Sequence, residues 1–567
     1  MFTKLSKDPQ VFIEWNWEQI KPFADDLEQR PLSSQNLAGW VMDWSDLRRL
    51  ISEIYSRLRV ATTVNTADQA AKQRFNTFLD QVFTPSQAVD QTLKQKLLAS
   101  GLEPEGFEIP LRNMRVEAAI FRQENLPLLA EEKKLANEYD EIIGAQTVEW
   151  NGQEVTPTQL EPVYRSLDRN EREKAWRLVM ERKLADRDKL NDLWIRLLQV
   201  RGQIAKNAGF PDYRLYRWQE LLRLDYTPAD CLSFHRAIEQ VVVPAAMRMY
   251  ATRQEQLGLT QLRPWDLNVD PLGREALKPY KTTTELVDKV STIFHRVDAQ
   301  FGEYFDLMCQ KGLLDLENRK GKAPGAYCAG YDMVRLPFVF ENAVGLHEDV
   351  ATLLHESGHA FHVLEEAHLP YYHQLPVGME FAEVASMAME LLASPYLLAS
   401  EGGFYSEKEA ARARIEHLEE AVLFWPYMVV VDAFQHWAYE NHAQAMDPKS
   451  CDRAWAELWR RYMVGVDWSG LDDLMVTGWQ RKLHIFEDAF YYVEYGLASL
   501  GAFQVWANAL KDQKGAVAAY RRGLALGGTV PLPQLYQAVG AKFSFDAETL
   551  QMAVSLAERV ITELSQV

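Results

Sequence analysis

The stretch Val350–Leu364, VATLLHESGHAFHVL, is apolar at most positions yet carries three histidines and a glutamate. Apolar runs of this kind become buried, and a buried imidazole or carboxylate needs a polar partner. The chain must therefore fold so that other polar groups meet this segment. Its periodicity is helical, which sets His355 and His359 one turn apart on the same face. That is an HExxH pattern, in which both imidazoles can bind one zinc ion and Glu356 is placed to take a proton from an attacking water. An ordinary amphipathic helix explains Leu353, Leu354 and Phe361 but leaves the histidines and Glu356 without partners. Six of the 12 histidines lie within His347–His373.

A zinc hydrolase site needs a third protein ligand and a position left open. The metzincin spacing for that ligand falls on Glu365 instead of histidine. The short-loop spacing for a glutamate falls on Gly378 or Met379, just short of Glu380. Downstream, GMEFAEVASMAMELL (Gly378–Leu392) carries Glu380, Glu383 and Glu390 on one helical face. Spacing leaves Glu380 and Glu383 both open. The four cysteines (Cys231, Cys309, Cys328, Cys451) form no CxxC pair, so they predict no thiolate zinc site and fit a reduced, cytoplasmic protein.

HESGHAFH followed by FAEVASMAMELL resembles the thimet oligopeptidase/oligoendopeptidase F family of zinc metallopeptidases. The resemblance implies one zinc ion held by His355, His359 and Glu383, with Glu356 as general base and Glu390 orienting a ligand histidine. A second segment, WQRKLHIFEDAFYYVEYGLASLGA (Trp479–Ala502), is similar to the oligoendopeptidase branch through His484, Phe490, Tyr491, Tyr492 and Tyr495. Ala489 stands where that branch has proline. The chemistry supports such groups, because attack on a peptide carbonyl creates an oxyanion that a neutral phenol or imidazole can stabilise. His484, Tyr495 and one of Tyr491 and Tyr492 share a helical stripe; Tyr492 is the expected member.

Elsewhere the pattern is helical, with apolar positions at steps of three or four in Asp43–Val60, Glu171–Lys206, Thr283–Gly312, Lys408–Phe424, Asp452–Met463 and Phe545–Leu564. Thr147–Thr156 reads as a hairpin around Asn151-Gly152. Tyr331–Phe340 reads as a strand that could be the edge on which a substrate backbone pairs. The expected fold is mainly α, divided near residue 200 into an N-terminal helical region (1–200) and a catalytic region (201–567). The resemblance adds a multi-helical ellipsoid with two helical walls around a deep channel, and a small antiparallel β element beside the HExxH helix. It implies an oligoendopeptidase acting on short unstructured peptides. The alternatives are a zinc exopeptidase with Glu380 as third ligand, or a non-catalytic peptide-binding protein. A net charge of −19 argues against a nucleic-acid partner, and no segment is long and apolar enough to imply a membrane.

Overall fold

A computed structural model describes residues 2–567. Helices dominate, and their boundaries follow local chemistry. The Asp43–Val60 pattern is the interior of a longer helix, Leu37–Val64. The run expected over Glu171–Lys206 is two helices, Arg169–Leu184 and Arg187–Asn207. They break at Asp186, whose carboxylate accepts hydrogen bonds from Arg182, Lys189 and Gln146. Thr283–Gly312 likewise divides at Asp298, which ends one helix and caps the next by accepting from the Gln300 amide at 2.9 Å. The helix seeded at Lys408–Phe424 continues through Pro426 to span Glu407–Glu440, starting from a Ser406/Glu409 capping box.

The Asn151-Gly152 hairpin is present. β1 (Val148–Trp150) pairs antiparallel with β2 (Gln153–Val155), and both turn residues have positive φ, 53° and 79°. The sheet beside the HExxH helix has three strands, β3 (Leu314–Glu317), β4 (Tyr327–Tyr331) and β5 (Leu336–Ala343), in the order β3-β5-β4. β4 is antiparallel to β5 and β3 is parallel to it. This corrects one expectation, since Tyr331–Phe340 is not a single edge strand: Tyr331 ends β4, a turn follows, and Leu336–Phe340 lies in β5, which is paired on both sides between the edges β3 and β4. The long N-terminal helix grips the β4–β5 turn. Glu53 accepts from the amides of Met333 (2.8 Å) and Val334 (2.9 Å), and the Arg57 guanidinium lies 4.0 Å from the Tyr331 ring centre.

Buried apolar side chains form two large clusters. One runs from Leu5 to Met114 and includes Tyr371; the other takes in Val60 and most buried residues from Leu135 to Val560. No helix among the described residues is long and apolar enough to cross a membrane.

Candidate metal centre

The HExxH motif lies in the helix His347–Glu365, which packs against the helix Met379–Ala393. Gly358 makes this approach possible, because a Cβ there would meet the Ala385 carbonyl oxygen at 2.6 Å and Ser386 Cα at 2.7 Å. Close contact delivers Glu383 to the histidines. Its Oε2 lies 3.4 Å from His355 Nε2 and 3.7 Å from His359 Nε2. One donor atom from each residue fits within a 4.8 Å span. Two imidazole nitrogens and one carboxylate oxygen match the donor set of a catalytic zinc site. The His355 and His359 side chains are 26% and 21% exposed, so the cluster opens to solvent on one side.

Glu380 does not join them. It is buried, accepts from the Tyr226 hydroxyl at 2.5 Å, and has Arg223 Nε at 3.6 Å. The three-residue step that spacing could not interpret is thus settled by packing, which turns Glu380 toward an arginine and Glu383 toward two histidines.

Behind the donors, His355 Nδ1 meets Glu390 Oε1 at 2.7 Å, and Glu390 Oε2 lies 3.2 Å from His417 Nε2. The Ser386 hydroxyl donates to Glu383 Oε2 at 2.9 Å. These contacts fix ring tautomer and carboxylate orientation. Burial disfavours the His355 cation, but Glu383 and Glu390 outweigh it and raise its pKa well above the usual range. His359 has no carboxylate hydrogen bond, and burial, with help from the His355 charge and against the pull of Glu383 and Glu390, pushes it down to about 4. Burial also drives Glu356 up to about 7; His355 pulls it down, while Glu383 and Glu390 add to the rise. A carboxyl near neutrality is suited to exchanging a proton with water. His417 had no signal in the sequence, because it sits in a charged amphipathic helix with no spacing relation to HExxH.

His484 and the tyrosines come together over 100 residues downstream of HExxH. The His484 ring centre lies 5.6, 4.9 and 6.4 Å from those of Tyr491, Tyr492 and Tyr495. The Tyr491 and Tyr495 hydroxyls are 3.4 Å apart, and the field of Glu383 reaches both. Tyr492 is buried among Phe424, Tyr427 and Lys482, whose Nζ lies 4.0 Å from its ring centre. Burial raises all three phenols, and it lowers His484 to about 4 with help from Lys482. The phenols and the imidazole are therefore neutral donors near pH 7.

The helix Tyr492–Ala509 starts after Phe490, whose φ of 67° is a left-handed conformation that a bulky residue adopts only when held. Gln435 Oε1 accepts from the Phe490 amide at 2.8 Å, and Arg223 Nη2 donates to its carbonyl at 2.6 Å. Arg217 Nε donates to the Ala489 carbonyl at 3.3 Å. These side chains set the helix entry where the resembled family has proline.

A family model described as peptidase family M3 matches residues 163–554. The chain belongs to that family. Its members are metallopeptidases, and the donor cluster lies inside the matched region. Among solved structures, PZ peptidase A with an inhibitor has a TM-score of 0.85 and 27% identity, covering 100% of this chain and 99% of its own. A protein assigned as oligoendopeptidase F gives the same values. Oligoendopeptidase F from Enterococcus faecium shares the fold, with a TM-score of 0.64 and 14% identity over 97% of both chains. Comparison with curated proteins gives no match.

Proposed function

We propose that this M3 peptidase is a zinc-dependent oligoendopeptidase that cuts internal bonds of short, unstructured peptides. The observation that carries the reading is the half-open trio His355, His359 and Glu383, backed by Glu390, with Glu356 beside it. One catalytic zinc ion held there would supply Lewis acidity toward water and the scissile carbonyl. Glu356 takes a proton from the attacking water and passes it to the leaving amine. Tyr495 and Tyr491, with His484 near them, donate hydrogen bonds to the oxyanion. Tyr491 takes this role in place of the expected Tyr492, on the strength of its contact with Tyr495 and the reach of Glu383's field. The edge strand β4, whose Cys328 backbone borders Glu356, offers main-chain groups to an extended substrate.

The endo-acting character follows the name oligoendopeptidase F carried by a 27% identical structural relative. Residues 1–200 would form one wall of a channel over the catalytic region 201–567 and keep folded proteins out. Four free cysteines favour work in the reduced cytoplasm. The reading is tested by digesting a mixed peptide library with and without a chelator and reading products by mass spectrometry. Internal cuts abolished by chelator and restored by zinc are expected. Release of only terminal residues or dipeptides would replace it with the exopeptidase reading. Intact casein cut as fast as a short peptide would remove the channel.

A further inference from the structure

The helix Pro228–Gln256 packs against the long helix Glu407–Glu440 through a polar cluster unrelated to the HExxH motif. Each helix contributes two residues one turn apart: Cys231 and His235 from the first, Asp432 and His436 from the second. All four are buried, none more than 3% exposed. One donor atom each from Cys231, Asp432 and His436 lies within 4.8 Å of the others. Asp432 Oδ2 is 2.8 Å from His235 Nε2 and 3.2 Å from His436 Nε2. The second distance is close to the edge of a zinc tetrahedron, roughly 3.4 Å for bonds of about 2.1 Å. Asp432 Oδ1 and His436 Nε2 have no hydrogen-bond partner despite complete enclosure, an arrangement that requires an explanation.

We propose that Cys231, Asp432 and His436 form a second, enclosed metal site that takes a thiolate-compatible divalent ion, zinc in the first instance, with His235 holding Asp432 in place through its hydrogen bond. A thiolate and a carboxylate cancel the ion's two positive charges, so the filled site is neutral and its burial costs little. Thiolate and imidazole donors favour zinc over magnesium or calcium. The thiol is protonated without metal, as burial raises Cys231 well above its usual value. Its proton leaves to solvent when the S–metal bond forms. Three protein donors in a fully buried pocket leave a substrate no way in, which makes the site structural. Gln435, between Asp432 and His436, holds the Phe490 amide, and the His436 and Phe490 rings are 5.1 Å apart. An ion here would brace the turn that launches the tyrosine helix.

The competing occupant is protons alone, with His235 hydrogen-bonded to Asp432, His436 Nε2 3.2 Å from the same carboxylate oxygen, Arg214 Nη1 facing His436 Nδ1 at 3.4 Å, and Cys231 a bystander. Cobalt(II) distinguishes the two, because thiolate-to-cobalt charge transfer absorbs in the near ultraviolet and the HExxH centre offers no sulfur. Full-length protein loaded with cobalt should hold two ions per chain and show this absorption, one ion for each donor group. C231S should lose the band and one ion; Glu383→Ala should lose the other ion and keep the band. A single ion without thiolate absorption in the wild-type protein would overturn the proposal, and that measurement needs no variant to fold. A band that persists in C231S would overturn it equally.

Discussion

Two clusters in this molecule share one plan but differ in donor types, exposure and surroundings. At the HExxH centre, His355 and His359 sit one turn apart and a facing helix supplies Glu383; at the second cluster, Asp432 and His436 sit one turn apart and a facing helix supplies Cys231. The first keeps its histidines about a quarter exposed, whereas the second is enclosed. Enclosure suits bracing, while partial exposure leaves room for water and a substrate carbonyl. The surroundings differ in the same sense. His355 is backed by Glu390 and His417, and the neutral phenols of Tyr491 and Tyr495 lie within reach of the Glu383 field. The second cluster meets the rings of Trp218 and Phe490. Metal donors alone do not make a reaction centre; an open side and charge-stabilising groups do.

The sharpest break of this comparison is at Glu383. Glu383→Ala should remove the catalytic metal and lower kcat/KM by about 10³-fold or more. Glu380→Ala should keep metal content unchanged by elemental analysis, with its cost appearing in stability as Arg223 loses a buried partner. Loss of metal in the Glu380 variant would reverse the assignment.

Next come the hydroxyls. Tyr495→Phe and Tyr491→Phe should each lower kcat by about 10²-fold with KM nearly unchanged, the signature of an oxyanion donor. Tyr492→Phe should move kcat far less, and a larger loss there would restore the expectation drawn from the helical stripe. Glu390→Gln should weaken metal affinity about 10- to 100-fold, read by competition with a chelator. C231S is the counterpart in the closed cluster. It should lower the melting midpoint while kcat changes less than about tenfold, since no reacting group is touched.

The smallest effect concerns Glu341, a buried carboxyl on β5 with no partner for either oxygen. Burial, with Asp349 and Glu356 nearby, raises it to about 9. The folded state therefore keeps a proton that the unfolded chain has lost above its ordinary carboxylate pKa, and stability falls as pH rises from about 4.5 toward 9. Glu341→Gln should be neutral near pH 4 and gain on the order of 2 kcal/mol near pH 8 in urea unfolding. An equal gain at both pH values would point to packing instead of charge.

Much of the HExxH centre was legible because helical spacing and apolar context restrict where His355, Glu356 and His359 can point. The hairpin was legible because Asn151-Gly152 leaves few backbone alternatives. Glu380 and Glu383 were not separable by spacing, since both lie on one face and only packing against Arg223 and Tyr226 divides them. Tyr491 and Tyr492 presented the same difficulty. Their roles depend on the left-handed turn at Phe490, held by Gln435 and Arg223 from distant segments. β5 reads as an edge strand until β3, from before a glycine-rich loop, pairs with its other side. Cys231, His235, Asp432 and His436 show no motif in sequence, because two i,i+4 pairs about 200 residues apart mean nothing until their helices meet.

In the proposed mechanism Glu356 moves a proton beside a metal it does not bind. Glu356→Gln measures this directly, with metal per chain by elemental analysis and cleavage of a quenched peptide on the same sample. Metal content equal to wild type with kcat reduced by about 10³-fold or more is expected. Undiminished cleavage with metal retained would contradict the account.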